Sequence, residues 1–278
     1  MDFKSDLEKT LLIPLWARSK ETENNDPIIK DSWSSDIIQK LGADLSYMDG
    51  AWQSQLAIAI RTKIIHDQVG KFISLHPKSN IISLGCGLDG YFRNFENDNV
   101  CWYDIDLPDI IKLRSKFVQE SDSHFLIGSS VLDYSWFDKV KDRELPTLII
   151  GEGLLYYLDY EDAKVLLNNI TSHFDRVEFL IELIGKAMVG FARFNDSIKR
   201  LGTGSRAEFK WSLLNSRKME LWCNELKFVE EWWMGDFFPS RWKHIKYLFM
   251  VPLFKRLFSN RIIHLKKITS DKVRLQKV

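Results

Sequence analysis

Three glycines spaced through Ile81-Ile82-Ser83-Leu84-Gly85-Cys86-Gly87-Leu88-Asp89-Gly90, directly after a short apolar run, are the residues of this chain best suited to cradling a nucleotide. Such a turn lets the backbone come close to a ribose or phosphate, because a Cβ at Gly85 or Gly87 would block both the dihedrals and the approach. About twenty residues on, the run Val100-Cys101-Trp102-Tyr103-Asp104-Ile105-Asp106 ends in carboxylates, where a Rossmann-type fold places an acid on ribose hydroxyls. Taken singly, the glycines fit a plain tight turn, and Asp106 before Leu107-Pro108 fits a helix cap. Together they point to an adenosine-containing cofactor. Asp104 is expected to face solvent, and Cys86, with no histidine tied to it by spacing, to be a small filler.

The elements that must position these groups follow from periodicity. Residues 1–78 read as a mainly helical N-terminal segment, with a polar break from Ser19 to Asp26 closed by Pro27 and a long amphipathic stretch from Trp52 to Leu75. Strands then alternate with helices through residues 79–278. Apolar runs at 80–84, 100–105, 125–127, 148–150 and 177–183 are separated by helix-like segments such as 108–119 and 160–174. That alternation predicts an α/β fold, a mostly parallel sheet with helices on both faces. An aromatic-rich insertion at about 185–224 reads as a helical lid, and two closing strands are expected at 226–232 and 261–267.

Ligands of open α/β sheets sit outside the carboxyl ends of the strands. The third expected strand ends in Gly128-Ser129-Ser130-Val131-Leu132-Asp133, small polar residues suited to a base edge. The fourth ends in Gly151-Glu152-Gly153, and a carboxylate at a buried strand end needs a charged or hydrogen-bonding partner to offset its desolvation. A cationic ligand would be such a partner.

The order Leu-Gly-x-Gly-Leu-Asp at 84–89, Trp-Tyr-Asp-Ile-Asp-Leu-Pro at 102–108 and Pro-Thr-Leu-Ile-Ile-Gly-Glu-Gly-Leu-Leu-Tyr-Tyr-Leu at 146–158 resembles the S-adenosylmethionine-dependent methyltransferases of the leucine carboxyl methyltransferase and polyketide O-methyltransferase (tetracenomycin-type) family. The likeness spans about residues 10 to 185. It implies a Rossmann-like class I methyltransferase fold, S-adenosylmethionine as cofactor and an oxygen, often a carboxylate, as acceptor. By the same resemblance Gly85, Cys86 and Gly87 line the methionine part of the cofactor and Asp106 holds the ribose hydroxyls. Glu152 faces the cofactor's amino end, and Arg61 grips its carboxylate. Ser130-Val131 stands where the family has Asp-Leu, so Ser130 or the Val131 backbone must replace the adenine contact, and Gly90 stands where the family often has Thr.

Composition bounds the rest. Lys+Arg 39 against Asp+Glu 38 gives no basic field, so no nucleic-acid partner is expected. Three unpaired cysteines and the absence of a signal-like or membrane-spanning run predict a cytoplasmic protein without a transmembrane segment. The histidines form no ligand spacing, and no metal is expected.

A carboxylate acceptor, with a pKa of ~4, is already ionised and needs no base, whereas a phenol near ~10 does. A mechanism of positioning without a dedicated catalytic residue is therefore expected, on an apolar small-molecule acid reached through the lid, with Tyr156, Arg206 and Lys210 near the acceptor. Three other readings stay open. Gly85-x-Gly87-x-x-Gly90 with Asp106 also fits an NAD-dependent oxidoreductase, for which Tyr160 and Lys164 share a dehydrogenase-like spacing. A protein C-terminal carboxyl methyltransferase and a binding protein that keeps the fold without catalysis are the others. The stretch from Arg241 to Phe258, rich in aromatics and cations, reads as a buried helix kinked at Pro252 in preference to a basic amphipathic surface.

Overall fold

In a computed structural model that describes residues 10–190, 195–201 and 208–268, the expected alternation becomes a sheet of seven strands. These are β1 (Ser79–Leu84), β2 (Val100–Asp106), β3 (His124–Gly128), β4 (Thr147–Gly151), β5 (Val177–Leu183), β6 (Leu226–Trp233) and β7 (Arg261–Lys267), in the order β3-β2-β1-β4-β5-β7-β6. The first five run parallel, and β7 lies antiparallel between β5 and β6. Strand order reverses between β1 and β4, which opens a crevice at their carboxyl ends where ligands of such sheets bind.

Helices α1 (Leu12–Thr22), α2 (Ser32–Leu41) and α3 (Trp52–Leu75) precede the sheet, and α4 (Pro108–Arg114) and α5 (Tyr160–His173) are crossovers. Both faces of the sheet are covered, so its strands read as apolar runs. On one face Ile60, Ile64 and Ile65 of α3 pack against Ile81, Trp102, Leu148 and Leu180. On the other, Leu166, Leu167 and Ile170 of α5 pack against Ile82, Tyr103, Ile149 and Phe179. The N-terminal helices reach the glycine turn itself. Trp33 Nε1 donates to the Leu88 carbonyl at 3.0 Å, and its ring lies so close that a Cβ on Gly90 would stand 2.6 Å from it.

Three expectations change. The break placed at Ser19 is helix as far as Thr22, where Glu21 is buried against Arg241 at 2.6 Å and the preceding Arg18 meets Asp31 at 2.9 Å. Among its described residues the insertion after β5 carries one short helix, α6 (Asp196–Leu201), and single 3-10 turns, and its Trp211 and Trp222 belong to the core and pack edge-on to Tyr160. Phe191, Phe194 and Arg206 lie outside the described residues. The segment 241–258 is not a buried kinked helix. Pro252 starts a second helix, giving α7 (Lys246–Phe249) and α8 (Pro252–Phe258), and most of their apolar side chains face outward.

Asp104 also departs from expectation, being fully buried. Its Oδ2 accepts from Arg114 Nη2 at 2.6 Å and Nε at 2.8 Å and lies 2.7 Å from His124 Nε2, while Oδ1 accepts from Trp102 Nε1 at 3.0 Å. Burial alone would raise this carboxyl, but Arg114 and His124 hold it below its ordinary value. Arg114, buried beneath the glycine turn, also donates through Nη1 to the carbonyls of Asp89 (2.7 Å) and Gly87 (3.2 Å). It is thus the clamp on the turn's backbone.

Removing one partner of a buried pair leaves an uncompensated charge, so Arg114→Met should cost about 3–5 kcal/mol in urea unfolding. A second stability test lies across β5 and β7, where Glu178 accepts from Lys266 at 2.6 Å and lies 2.7 Å from His264 Nε2. Burial opposes ionisation of Glu178, yet these hydrogen bonds outweigh it and hold the carboxyl at about 2, down from 4.5. A depressed carboxyl stabilises the fold above its unfolded value and loses that contribution as pH falls. The stability gap between the native chain and Glu178→Gln should be full above pH 4.5 and close as pH falls toward 2, as read by urea titrations along that range.

Candidate functional site

The turn after β1 continues the sheet's hydrogen bonding before it leaves it. Gly85 N and Cys86 N both donate to the Ile105 carbonyl, at 2.8 and 3.2 Å. Gly85 and Gly87 then take φ of +65° and +53°, which side chains rarely adopt, and a Cβ at either would stand 3.1 Å from Leu154 or Leu11. Asp106, at the tip of β2, turns back onto this loop. Its Oδ2 accepts from Gly87 N at 2.8 Å and its Oδ1 from Leu107 N at 2.7 Å. It is not the helix cap, since the cap position of α4 is Leu107, whose own side chain makes no capping bond. Burial raises the Asp106 carboxyl, with the two backbone donors opposing the shift. Both oxygens are aimed by the backbone, and each keeps a lone pair for a hydroxyl.

A second charged group stands at the tips of β4 and β5. Arg61, on α3 and only 8% exposed, is gripped by two carboxylates: Nη2 lies 2.7 Å from Glu152 Oε1, and Nη1 lies 3.0 Å from Glu182 Oε2. Tyr91 Oη donates to Glu152 Oε2 at 2.5 Å, Gly153 N to Glu182 Oε2 at 2.9 Å, and Tyr156 Oη to the same oxygen at 3.5 Å. Two acids share one guanidinium, so this trio carries one negative charge in excess. Burial pushes Glu182 up, with Arg61 opposing and Glu152 adding to the rise. Arg61 Nε is buried without a hydrogen-bond partner. A zwitterionic amino-acid end fits this donor set, its ammonium meeting the surplus carboxylate and its carboxylate the guanidinium.

The glycine turn and the charged trio open onto one cavity of about 420 Å³. Gly85, Cys86, Gly87, Arg61, Glu152 and Tyr156 all line it, as do Glu182 and Asp89. Away from the charges its wall is apolar, made by Ile13, Ile58, Ile184, Met188, Phe209 and Phe249. Burial pushes the Cys86 thiol far above its ordinary value, which suits a filler and not a nucleophile. Asp89 is raised to about 7 by burial, against the pull of Arg114 and with a push from Asp104.

Other expected site residues lie apart from this cavity. Asp106, Ser130 and Val131 are not in its lining. They belong to the neighbouring strand tips, where Ser130 Oγ accepts from Leu132 N at 3.2 Å and the Val131 carbonyl accepts from Trp136 Nε1 at 3.2 Å. Lys210 also lies outside the lining, its ammonium 2.9 Å from Asp159 near the surface, and Arg206 is outside the described residues. Tyr160 and Lys164 do not form a proton-donating pair: Tyr160 Oη accepts from Trp222 Nε1 at 3.0 Å, Lys164 lies 3.5 Å from Glu161, and neither reaches the cavity. Glu182 and Tyr91 are absent from the residues singled out in the sequence. For Glu182 a signal existed, an acid inside the apolar run Phe179-Leu180-Ile181-Glu182-Leu183.

Residues 12–171 match the leucine carboxyl methyltransferase family. The chain is 30% identical over 231 residues to the tetracenomycin polyketide synthesis O-methyltransferase TcmP of Streptomyces glaucescens, covering 83% of this chain and 84% of the relative. It is 26% identical over 246 residues, 80% of each chain, to the S-adenosyl-L-methionine-dependent methyltransferase dpfgK of Gibberella zeae. Among solved structures, the magnesium protoporphyrin IX methyltransferase of Synechocystis PCC 6803 with bound SAH shares the fold, with a TM-score of 0.50 at 11% identity over 84% of this chain and 94% of that one. The sheet order, the glycine turn and a match over more than half the sequence converge: the chain belongs to the leucine carboxyl methyltransferase family and is an S-adenosylmethionine-dependent methyltransferase with a Rossmann-like fold.

Proposed function

We propose that this methyltransferase acts on an oxygen of an apolar small molecule, a carboxylate on a polyketide-type acceptor, in the cytoplasm. One observation carries the reading: the cavity joins a charged, glycine-edged end to an apolar wall, and no histidine stands among the described residues of its lining. The similarity to an enzyme named for polyketide O-methylation supports the same class.

In this reading Gly85, Cys86 and Gly87 border the methionine part of the cofactor, and Asp106 takes the ribose hydroxyls. Ser130 and the Val131 backbone meet the adenine, and Arg61, Glu152 and Glu182 hold the amino-acid end. When bound, S-adenosylmethionine supplies a methyl carbon on a sulfonium, released as a thioether when an acceptor oxygen takes the methyl. The chain's work is alignment and exclusion of water, and proximity of that kind is worth about 7 kcal/mol or more in well-oriented cases. Glu152 and Glu182 are bound to Arg61 and serve as fixed charge, leaving Tyr156 and the apolar wall to orient the acceptor. A peptide C-terminus would call for a shallower and more polar groove.

A phenolic acceptor is the second reading, favoured by Asp89, which lines the cavity with its carboxyl raised to about 7 and so suits a general base.

Two measurements test these assignments. Loss of a charge-assisted contact typically costs about 1.5 to 3 kcal/mol, so Asp106→Ala should bind S-adenosylmethionine roughly ten- to a hundred-fold more weakly by isothermal titration while still folding. Unchanged affinity in the folded variant would remove Asp106 from the site. For the acceptor, radiolabelled methyl transfer should go to apolar acids and not to phenols or peptide C-termini, and kcat/KM should stay level through pH 7. A rate that falls on the acid side of 7, and loses that limb in Asp89→Asn, would establish the phenol reading instead.

A further inference from the structure

The segment of α7 and α8 presents an unusual surface. Tyr247, Met250, Leu253, Phe254 and Phe258 are 40% to 76% exposed, within a run from Arg241 to Phe258 that contains no acidic residue. Contiguous exposed apolar side chains on one short stretch of chain mark an interaction surface, not the scattered exposure of ordinary residues.

Local packing explains why these residues point outward. Phe249 alone of α7 is buried, its ring edge-on to Trp242 and pressed so tightly on Gly235 that a Cβ there would lie 2.5 Å away. Pro252 begins α8 in its first turn, and the C-terminal end of that helix is seated on Gly185, where a Cβ would stand 2.5 Å from the Leu257 carbonyl. With these contacts made on the inner side, the remaining rings and branches are left to the outside.

Charge chooses the occupant. Lys255 is held by Asp236 at 2.8 Å, and Lys243 stands over the Trp52 ring. Lys246 and Arg256 have no carboxylate partner among the described residues, and Lys246 lies over its neighbour Tyr247. Apolar side chains flanked by unpaired cations match the interface of an anionic bilayer, where the apolar groups enter the acyl boundary and the cations meet headgroup phosphates. No helix among the described residues is long and apolar enough to cross a membrane, so the contact lies on the surface. The patch is continuous with the cavity, since Leu248 and Phe258 also line it. We propose that α7 and α8 form a peripheral docking surface for anionic phospholipid membranes, holding the cavity wall at the bilayer.

The test needs neither cofactor nor acceptor, so its failure would leave the methyltransferase reading intact. The full chain is sedimented with vesicles of phosphatidylcholine alone and of phosphatidylcholine mixed with phosphatidylglycerol. Binding should be confined to the anionic vesicles and weaken with salt. Each cation near an anionic surface is worth about five-fold in partitioning, so the Lys246→Gln/Arg256→Gln double variant should bind about thirty-fold more weakly. Met250→Glu/Leu253→Glu should bind about ten-fold or more weakly through lost apolar burial. All four positions lie outside the cavity lining, and titration with S-adenosylhomocysteine should give unchanged affinity in both variants, which also confirms their folding. Equal binding to both vesicle types, binding indifferent to the substitutions, or self-association through this face with no vesicle binding would each overturn the proposal.

Discussion

The site is organised around a single guanidinium shared by two carboxylates. Arg61 comes from a helix on one face of the sheet, and Glu152 and Glu182 come from the tips of adjacent strands. The trio therefore ties three elements together at the tips of β4 and β5, beside the point where the strand order reverses. Its surplus negative charge is unfavourable in a buried place unless something positive joins it. The charge of the trio therefore suits a group with a cation to give and an anion that Arg61 can take.

A second network does equivalent work beneath the glycine turn, meeting the cavity only through the Gly87 and Asp89 that Arg114 holds. Arg114 binds Asp104 and hydrogen-bonds the backbone of the turn, while Asp106 holds the turn from the next strand tip. Left-handed φ angles at Gly85 and Gly87 would otherwise be free to relax. Two buried salt-bridged groups, one at the tips of β4 and β5 and one beneath the loop, pre-organise a surface that the backbone alone would not hold.

Much of this was legible in the sequence. The parallel strands were, because strands covered on both faces must be apolar, and the boundaries of β5 coincide with its apolar run. The glycine turn was legible because only glycine serves there. The buried acids were not. Asp104 finds its partner ten residues on, and Glu182 finds Arg61 across 121 residues, distances at which spacing carries no signal. An ionised residue reads as surface until the fold supplies the opposite charge. The outward face of α7 and α8 was misjudged for a related reason: an apolar composition is the same whether the side chains pack inward or wait for another phase, and only the seating on Gly185 and Gly235 decides it.

The contact between Trp33 and Gly90 has a consequence for the history of the chain. The indole occupies the space that a side chain at position 90 would need, and its nitrogen is fastened to the Leu88 carbonyl. Positions 33 and 90 therefore draw on one shared volume. A descendant that acquires threonine at 90 must first, or at the same time, exchange the indole at 33 for something smaller, and it gives up the fastening when it does. Threonine at 90 cannot come first, so across the lineage the indole should be lost before that change or together with it.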